Sequence, residues 1–283
     1  MRKAILAVAL AAALSTSVPA LAADPARGDG GGRGGLNVAG LTSDQRLVHF
    51  RTSKPGSVTS IGTVSGLAGD TSLVGIDYRV QDGRLYGVGN AGGIYTLNTA
   101  NAVATKVSQL SIALQGTLFG VDFNPAADRL RIISDTGQNL RHNVTAPVGG
   151  TVADTTLTNP PAVTPALGVT GAAYTNNDLD LATATSLFDI DTTNDRVSLQ
   201  SPANSGTLAP TGNLGVDVGP SAGFDIFFSP KDGSNQGFAA LDTGGAFRFF
   251  KVNPLTGKAT DYGAFPAGHQ VFDIALPFSI NQN

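Results

Sequence analysis

The sequence predicts an all-β protein that folds as one five-bladed β-propeller with four-stranded antiparallel blades. The first observation is composition: all 21 acidic residues are aspartate, and they accompany 36 glycines and 15 prolines. These three residue types favour turns, whereas glutamate, which is absent, suits helices. The second observation is that no segment has a sustained 3.6-residue apolar period. The third is a repeat of about 40 to 50 residues, which is the spacing of propeller blades.

Residues 1–22 are predicted to be a secretory signal peptide. Arg2 and Lys3 form a basic start, residues 5–14 are apolar, and small alanines follow at the expected cleavage site. The apolar stretch is too short to span a bilayer. We therefore expect an exported protein, either periplasmic or extracellular, with no membrane span.

Residues 23–35 are glycine-rich and are predicted to be a flexible linker, after which the propeller domain occupies residues 36–283. Cleavage removes two of the 18 basic residues, so 16 face the 21 acidic ones. This mild negative charge argues against a nucleic-acid partner. The absence of cysteine excludes disulfides, thiolate metal sites and cysteine nucleophiles. We expect a monomer.

Each repeat is predicted to contain four strands. The first strands are expected at 75–78, 120–123, 171–174, 223–226 and 272–274. Turns with aspartate or glycine separate them from second strands such as 85–88 and 130–133. The third strands are expected to end in a polar residue, at Asn98, Asn143, Asp191 and Asn253. Fourth strands follow, for example at 103–107 and 258–262.

The two ends of the domain are predicted to form one blade together. The last repeat stops after its first strand, whereas residues 36–41, 47–51 and 58–64 read as strands two to four, with Arg51 at the end of the third. A blade assembled from both termini closes the ring and leaves no unpaired edge. Four complete repeats and this composite make five blades; six blades, one of them degenerate, are the alternative.

One stretch of the sequence carries a specific motif. It runs through residues 119–125 (Phe-Gly-Val-Asp-Phe-Asn-Pro), 128–131 and 134–141, with support from 75–78 and 187–191. On these residues the chain resembles a family of exported bacterial proteins known as domain of unknown function 4394. The resemblance covers residues 36–278 and implies secretion and a propeller-like fold. It implies no activity, substrate or catalytic residue.

Aspartate recurs at one position of the first strands, at Asp77, Asp122, Asp225 and Asp273, and only Ala173 interrupts the set. Because the first strand of a blade is the innermost, these carboxylates are expected around the central channel. A hard cation such as calcium binds carboxylate oxygens, which makes the four aspartates candidate metal ligands. The alternative is that each accepts backbone N–H groups of a neighbouring loop and joins blade to blade.

Three arginines of one repeat, Arg129, Arg131 and Arg141, are candidate ligand-binding residues. Arg129 and Arg131 share a strand face because they are two residues apart. Their guanidinium groups could hold a carboxylate, a phosphate or a sugar acid. The alternative is an ion-pair network with aspartates of the same repeat, Asp122, Asp128 and Asp135.

Other motifs are interpreted as ordinary structure. Residues 87–92 match G-x-G-x-x-G and residues 219–223 match G-x-S-x-G, but each is followed by a strand instead of the helix that the motif requires. They are predicted to be a hairpin turn and an inter-blade loop. His49, His142 and His269 lie in different repeats and are expected to be partly exposed.

Two functions remain open. The first is a non-catalytic binding or scaffolding propeller, whose partner is a small molecule, a glycan or an envelope protein and whose site lies where the inter-blade loops gather. The second is a metal-dependent hydrolase or lactonase at the channel mouth, with Arg129 and Arg131 as anion holders. The longest loops, 159–170 and 202–222, are poor in aromatics, which argues against sugar stacking. The sequence suggests no cofactor other than calcium, and no catalytic residue is assigned.

Overall fold

The computed structural model describes residues 35–146, 150–180 and 182–278. The predicted signal peptide and linker residues 23–34 lie outside the described residues, and both remain predictions. The described part contains twenty strands and one short 3₁₀ turn, Ala203–Ser205. It contains no helix with the length and apolar character needed to cross a membrane.

The strands are numbered in chain order. The first three are β1 (Asn37–Thr42), β2 (Arg46–Arg51) and β3 (Lys54–Thr63). The next four are β4 (Leu73–Arg79), β5 (Arg84–Gly89), β6 (Gly93–Leu97) and β7 (Ala104–Gln109). They are followed by β8 (Phe119–Asn124), β9 (Arg129–Ser134), β10 (Asn139–His142) and β11 (Thr151–Ala153). Then come β12 (Val169–Tyr174), β13 (Leu187–Asp191), β14 (Arg196–Gln200) and β15 (Leu208–Asn213). The last are β16 (Ala222–Ser229), β17 (Ser234–Asp242), β18 (Phe247–Val252), β19 (Ala259–Ala264) and β20 (Val271–Ala275).

These strands form five four-stranded antiparallel sheets arranged in a ring. The prediction of a five-bladed propeller is confirmed, and the alternative of six blades is not. Blades 2 to 5 are each made of four consecutive strands, starting at β4, β8, β12 and β16. The starting strand is the innermost, and each innermost strand contacts the next one around the central channel.

Blade 1 is built from both ends of the domain, as predicted. Its order from the channel outwards is β20, β1, β2 and β3, and β20 pairs with β1 so that Ile274 faces Gly40. Arg51 ends β2, the third strand of this blade, as expected. Blade 1 therefore closes the ring with ordinary antiparallel pairing between the two ends of the domain.

The prediction that Asp191 ends a third strand is wrong. Asp191 ends β13, which is the second strand of blade 4. The connection between β12 and β13 is longer than a hairpin turn. A hydrogen bond from Asn176 Nδ2 to the Ala184 carbonyl oxygen, over 2.6 Å, joins its two ends. Polar residues that resembled a strand boundary in the sequence belong to this loop.

The hydrophobic core is divided into five clusters, one at each interface between neighbouring blades. Between blades 5 and 1, for example, the rings of Phe249 and Phe50 meet edge to face with 5.1 Å between their centroids. Aromatic pairs of this geometry add stabilisation beyond their buried area. Each blade is thus held on both faces by its neighbours.

Glycine in the innermost strands permits close packing around the channel. A Cβ atom added to Gly120 in β8 would lie 2.8 Å from the backbone nitrogen of Ala172 in β12. One added to Gly223 in β16 would lie 2.5 Å from Cα of Asp273 in β20. Both distances are shorter than van der Waals contact, so only glycine lets neighbouring backbones approach this closely.

Candidate functional site

A cavity of about 360 Å³ lies at the end of the channel where the innermost strands begin. We call it the basin. Its wall is formed mainly by the first residues of β4, β8, β12, β16 and β20, together with the residues just before them. All five blades therefore contribute to one shared cavity, which lies where loops gather in a propeller.

Each blade supplies one hydroxyl side chain to the basin: Ser43, Ser72, Thr117, Thr170 and Ser221. Thr117 donates to Asp135 Oδ2 over 2.8 Å, and Thr170 donates to the Pro220 carbonyl oxygen over 3.1 Å. Within the described residues, the hydroxyl groups of Ser43, Ser72 and Ser221 form no hydrogen bond with the protein. These three hydroxyls are free to donate to a ligand and to accept from it.

The rest of the basin wall is apolar. Phe119, Phe247 and Phe272 are partly exposed around it, and the aliphatic contribution comes from Leu73, Val74, Leu118 and Ala222. None of the described residues that line the basin is charged. A cavity with uncharged donors and aromatic faces suits a neutral ligand that has both hydroxyl groups and C–H faces.

A cluster of three carboxylates lies deeper in the channel. Asp77 of β4, Asp122 of β8 and Asp225 of β16 each place one oxygen so that the three oxygens lie within 4.8 Å of one another. Asp77 is three residues beyond Val74 of the basin wall, about 10 Å along an extended strand. We call these residues the carboxylate cluster; their side chains are buried, with 2%, 1% and 1% of their surface exposed.

The same aspartates link neighbouring blades. Asp77 Oδ2 accepts the Phe123 N–H of blade 3 over 2.7 Å, and Asp122 Oδ1 accepts the Tyr174 N–H of blade 4 over 3.1 Å. The predicted blade-to-blade bonds are therefore present, but their donors lie on the next innermost strand and not in a loop. Asp122 Oδ2 remains buried without a hydrogen-bond partner.

Asp273, the fourth predicted ligand, lies outside this cluster. Asp77 and Asp122 each accept the N–H of the residue that follows the corresponding position in the next innermost strand, which for Asp273 would be Tyr78. Asp273 Oδ2 instead accepts the Ile76 N–H over 2.7 Å, two residues earlier in β4. Correspondingly, Asp225 Oδ2 accepts the Leu276 N–H over 2.6 Å, so Ala275 and not Asp273 stands at the cluster level of β20. The channel brings three of the four aspartates together and places Asp273 nearer the basin, next to Phe272.

Burial dominates the ionisation of these carboxyl groups. It raises the pKa of Asp225 to about 7, even though the N–H groups of Leu276 and Ile226 favour the ionised form. Burial and the neighbouring carboxylates raise the pKa values of Asp77 and Asp122 well above the usual range. Negative charges that are close together and desolvated favour protonation or recruit a cation.

The three candidate arginines lie elsewhere, and none of them lines the basin. Arg131 is fully buried and donates to Tyr174 Oη, Asn139 Oδ1, Asn204 Oδ1 and Asp154 Oδ2 at 2.7 to 3.2 Å. Arg141 shares Asp154 Oδ2 at 2.7 Å. An ion-pair network exists as the alternative expected, but its carboxylate is Asp154 and not one of the three predicted.

Arg129 differs from the other two. Its Nη1 donates to the carbonyl oxygens of Ala127 and Asp128 in the turn that precedes it. Asp128 instead binds Arg79 of blade 2 through two hydrogen bonds of 2.7 and 2.5 Å. Arg129 therefore closes its own turn, while Arg79, which sequence reasoning did not single out, connects the blades.

The two glycine motifs form the structures predicted for them, and one of the three histidines differs from the prediction. The G-x-G-x-x-G stretch forms the β5–β6 hairpin, and the G-x-S-x-G stretch is the loop before β16. His142, which was expected to be partly exposed, is buried between Ser108 Oγ and Thr151 Oγ1 at 2.8 and 2.9 Å. Its burial lowers the pKa of the imidazole to about 4.

The sequence matches one protein family, described as Domain of unknown function (DUF4394), over residues 46–275. The chain belongs to this family. The DUF4394 match extends from β2 to β20 and so includes strands of all five blades. No protein of curated function matches the sequence.

Solved structures resemble this DUF4394 protein at low identity. An auxiliary nutrient binding protein from Bacteroides thetaiotaomicron shares 12% identity over 72% of this chain and 56% of its own, with a TM-score of 0.42. A protein of unknown function from the same organism shares 14% over 83% and 60%, with a TM-score of 0.45. A protein provisionally assigned as a 6-phosphogluconolactonase from Bacteroides uniformis shares 13% over 80% and 81%, with a TM-score of 0.41. The chain spans less than two thirds of the length of the first two, and likeness at this level transfers no ligand or activity.

Proposed function

We propose that this protein is an exported, non-catalytic propeller that binds an uncharged, polyhydroxylated small molecule, such as a sugar or a polyol, in the basin. The observation that carries the proposal is the ring of five hydroxyl side chains, one from each blade, around an apolar and aromatic wall. The volume of the basin, about 360 Å³, falls within the range of about 300–1,000 Å³ that is typical of small-molecule sites.

The chemistry of the wall selects the ligand class. The free hydroxyls of Ser43, Ser72 and Ser221 can exchange hydrogen bonds with ligand hydroxyls. The partly exposed rings of Phe119 and Phe272 offer apolar faces to the C–H side of such a ligand. An anion would lose hydration there without gaining an opposite charge.

The same wall favours binding over turnover. Its residues are serine, threonine, leucine, valine, alanine and phenylalanine, none of which acts as an acid or base near neutral pH. General acid–base catalysis needs a group that titrates in that range. Among the described residues, no histidine lines the basin that could activate Ser221 as a nucleophile.

The proposal is tested by saturation-transfer difference NMR with a panel of neutral monosaccharides, disaccharides and polyols. We expect transfer from the wild-type protein to at least one neutral compound. The signal should fall at least threefold in the double variant Ser72→Ala/Ser221→Ala, which is expected to fold normally because these hydroxyls form no internal hydrogen bond.

The matched control is Ser60→Ala, which removes an exposed hydroxyl from the outer strand β3. It should leave the transfer unchanged. If no neutral compound gave transfer, or if the double variant and Ser60→Ala behaved alike, binding in the basin would be refuted.

A further inference from the structure

We propose that the carboxylate cluster, Asp77, Asp122 and Asp225, binds one calcium ion inside the channel. The proposal does not depend on the ligand of the basin, which lies about three residues nearer the channel end. It rests on three features of the described residues: convergence of oxygens, an unpartnered buried oxygen, and the absence of a basic partner.

The first feature is geometric. Calcium–oxygen distances are about 2.3–2.6 Å, so carboxylate oxygens up to about 4.8 Å apart can share one ion. The three oxygens of the cluster meet this limit, and they come from β4, β8 and β16 on different sides of the channel. Ala173 of β12 and Ala275 of β20 stand at the same level in the other two blades, so no long side chain competes for the centre.

The second feature is an oxygen that the protein leaves without a partner. Asp122 uses Oδ1 for the Tyr174 N–H, while Oδ2 is buried and forms no hydrogen bond. A buried carboxylate oxygen without a donor loses its hydration and gains nothing in return. A bound cation would supply the missing interaction.

The third feature is charge. Asp77, Asp122, Asp225 and Asp273 are all buried within the channel. Among the described residues, no lysine, arginine or histidine forms a salt bridge or hydrogen bond with any of them. Backbone N–H groups that donate to these carboxylates favour the ionised form, which is the form that binds a cation.

Calcium fits this donor set better than magnesium. Calcium accepts six to eight oxygens in flexible geometry, and three fixed carboxylates plus channel water can satisfy it. Magnesium requires a nearly ideal octahedron at about 2.0–2.1 Å, which would pull the three strands closer together. Two of these strands, β8 and β16, are already packed closely against β12 and β20 at Gly120 and Gly223, which leaves them little room to move.

The test is direct measurement of bound metal in the full chain. Because the cluster is buried, calcium is supplied both to folded, chelator-treated protein and during refolding from urea. After dialysis, elemental analysis should find about one calcium per chain, and calorimetry should give binding at least tenfold tighter than that of magnesium. Equal affinity for magnesium would overturn the assignment to calcium.

Two variants locate the ion. Asp122→Asn keeps Oδ1 for the Tyr174 N–H but replaces Oδ2 by an amide NH2 group that cannot bind a cation, and it should reduce calcium affinity at least tenfold. Asp225→Asn should do the same, which guards against a folding defect in the first variant. Asp189→Asn is the control, because Asp189 is equally buried but lies outside the cluster.

Unchanged affinity in both cluster variants would place the calcium elsewhere and overturn the proposal. It would equally be overturned if the wild-type protein retained no calcium by either route, in which case the carboxyl groups share protons. Loss of affinity in Asp189→Asn, equal to that in the cluster variants, would show that the effect is not local.

Discussion

The Asp77 carboxylate in blade 2 accepts the Phe123 backbone N–H in blade 3 over 2.7 Å, and both groups are buried. This bond ties two innermost strands that share no sheet. The same residue also belongs to the carboxylate cluster, so it contributes a bond between blades and an ionisable carboxyl group in the channel. The two contributions can be separated by substitution.

Replacing Asp77 with alanine should destabilise the protein more than replacing it with asparagine. Both changes remove the carboxyl group, but only alanine leaves the Phe123 N–H buried without an acceptor, which costs about 1–3 kcal/mol. Urea unfolding in the presence of EDTA measures the difference between the two variants. Equal free energies of unfolding would show that this hydrogen bond contributes nothing.

The calcium-free protein should lose stability as the pH rises from about 4 to about 7, between the unfolded-state and folded-state pKa values of Asp225. Burial raises the pKa of Asp225 to about 7 from its ordinary value of 3.8, so the folded state holds its proton more tightly than the unfolded state does. A raised pKa gives stability that is present at low pH and lost as the pH passes through the folded-state value. Thermal melts in EDTA should show this decline, and Asp225→Asn should reduce it. A melting temperature that rises over this window would contradict the raised pKa.

His142 should produce the opposite trend in an overlapping pH window. Its folded-state pKa is about 4, below the ordinary value of 6.5, because the ring is buried. Protonation therefore favours the unfolded chain, and stability is lost as the pH falls from 6.5 to 4. The wild-type protein should lose more stability over this range than His142→Gln, as measured by urea unfolding at each pH. Parallel profiles would exclude His142 as the source.

Arg131 and Arg129 should differ sharply although they are two residues apart. Arg131→Met removes a buried charge that four side chains contact, and it should cost about 3–5 kcal/mol of unfolding free energy. Arg129→Met removes only bonds to carbonyl oxygens of its own turn and should change stability by less than about 0.5 kcal/mol. Thermal and urea unfolding test both, and equal effects would refute the structural role of Arg131.

Much of the fold follows from the repeat in the sequence. The spacing of the first strands and the incomplete repeats at the two ends predict five blades and the composite blade, because unpaired edges must be closed. The level of Asp273 could not be predicted in this way. It depends on the pairing of β20 with β1, which contains a shift between Leu41 and Thr42 that the short motif around Asp273 does not reveal.

The candidate site was only partly predictable, for a physical reason. The aspartate repeat places carboxylates in the channel, since each strand position is repeated around the ring. Two of the residues that bind Arg131, Asp154 and Asn204, are 23 and 73 residues away from it in the sequence and reach it only through tertiary packing. One feature of the sequence could have indicated the basin: a serine or threonine lies within two residues of the start of each innermost strand of blades 2 to 5.

The proposed ligand of the basin is uncharged and polyhydroxylated. The most direct measurement is calorimetric titration with matched pairs of a neutral hexose and its uronic acid at pH 7.5. Because the wall carries no basic residue and the channel behind it carries buried carboxyl groups, a neutral hexose should bind at least tenfold more tightly than its acid. If the acids bound as tightly as the neutral sugars, or if neither bound in any pair, the assignment of the basin would be wrong.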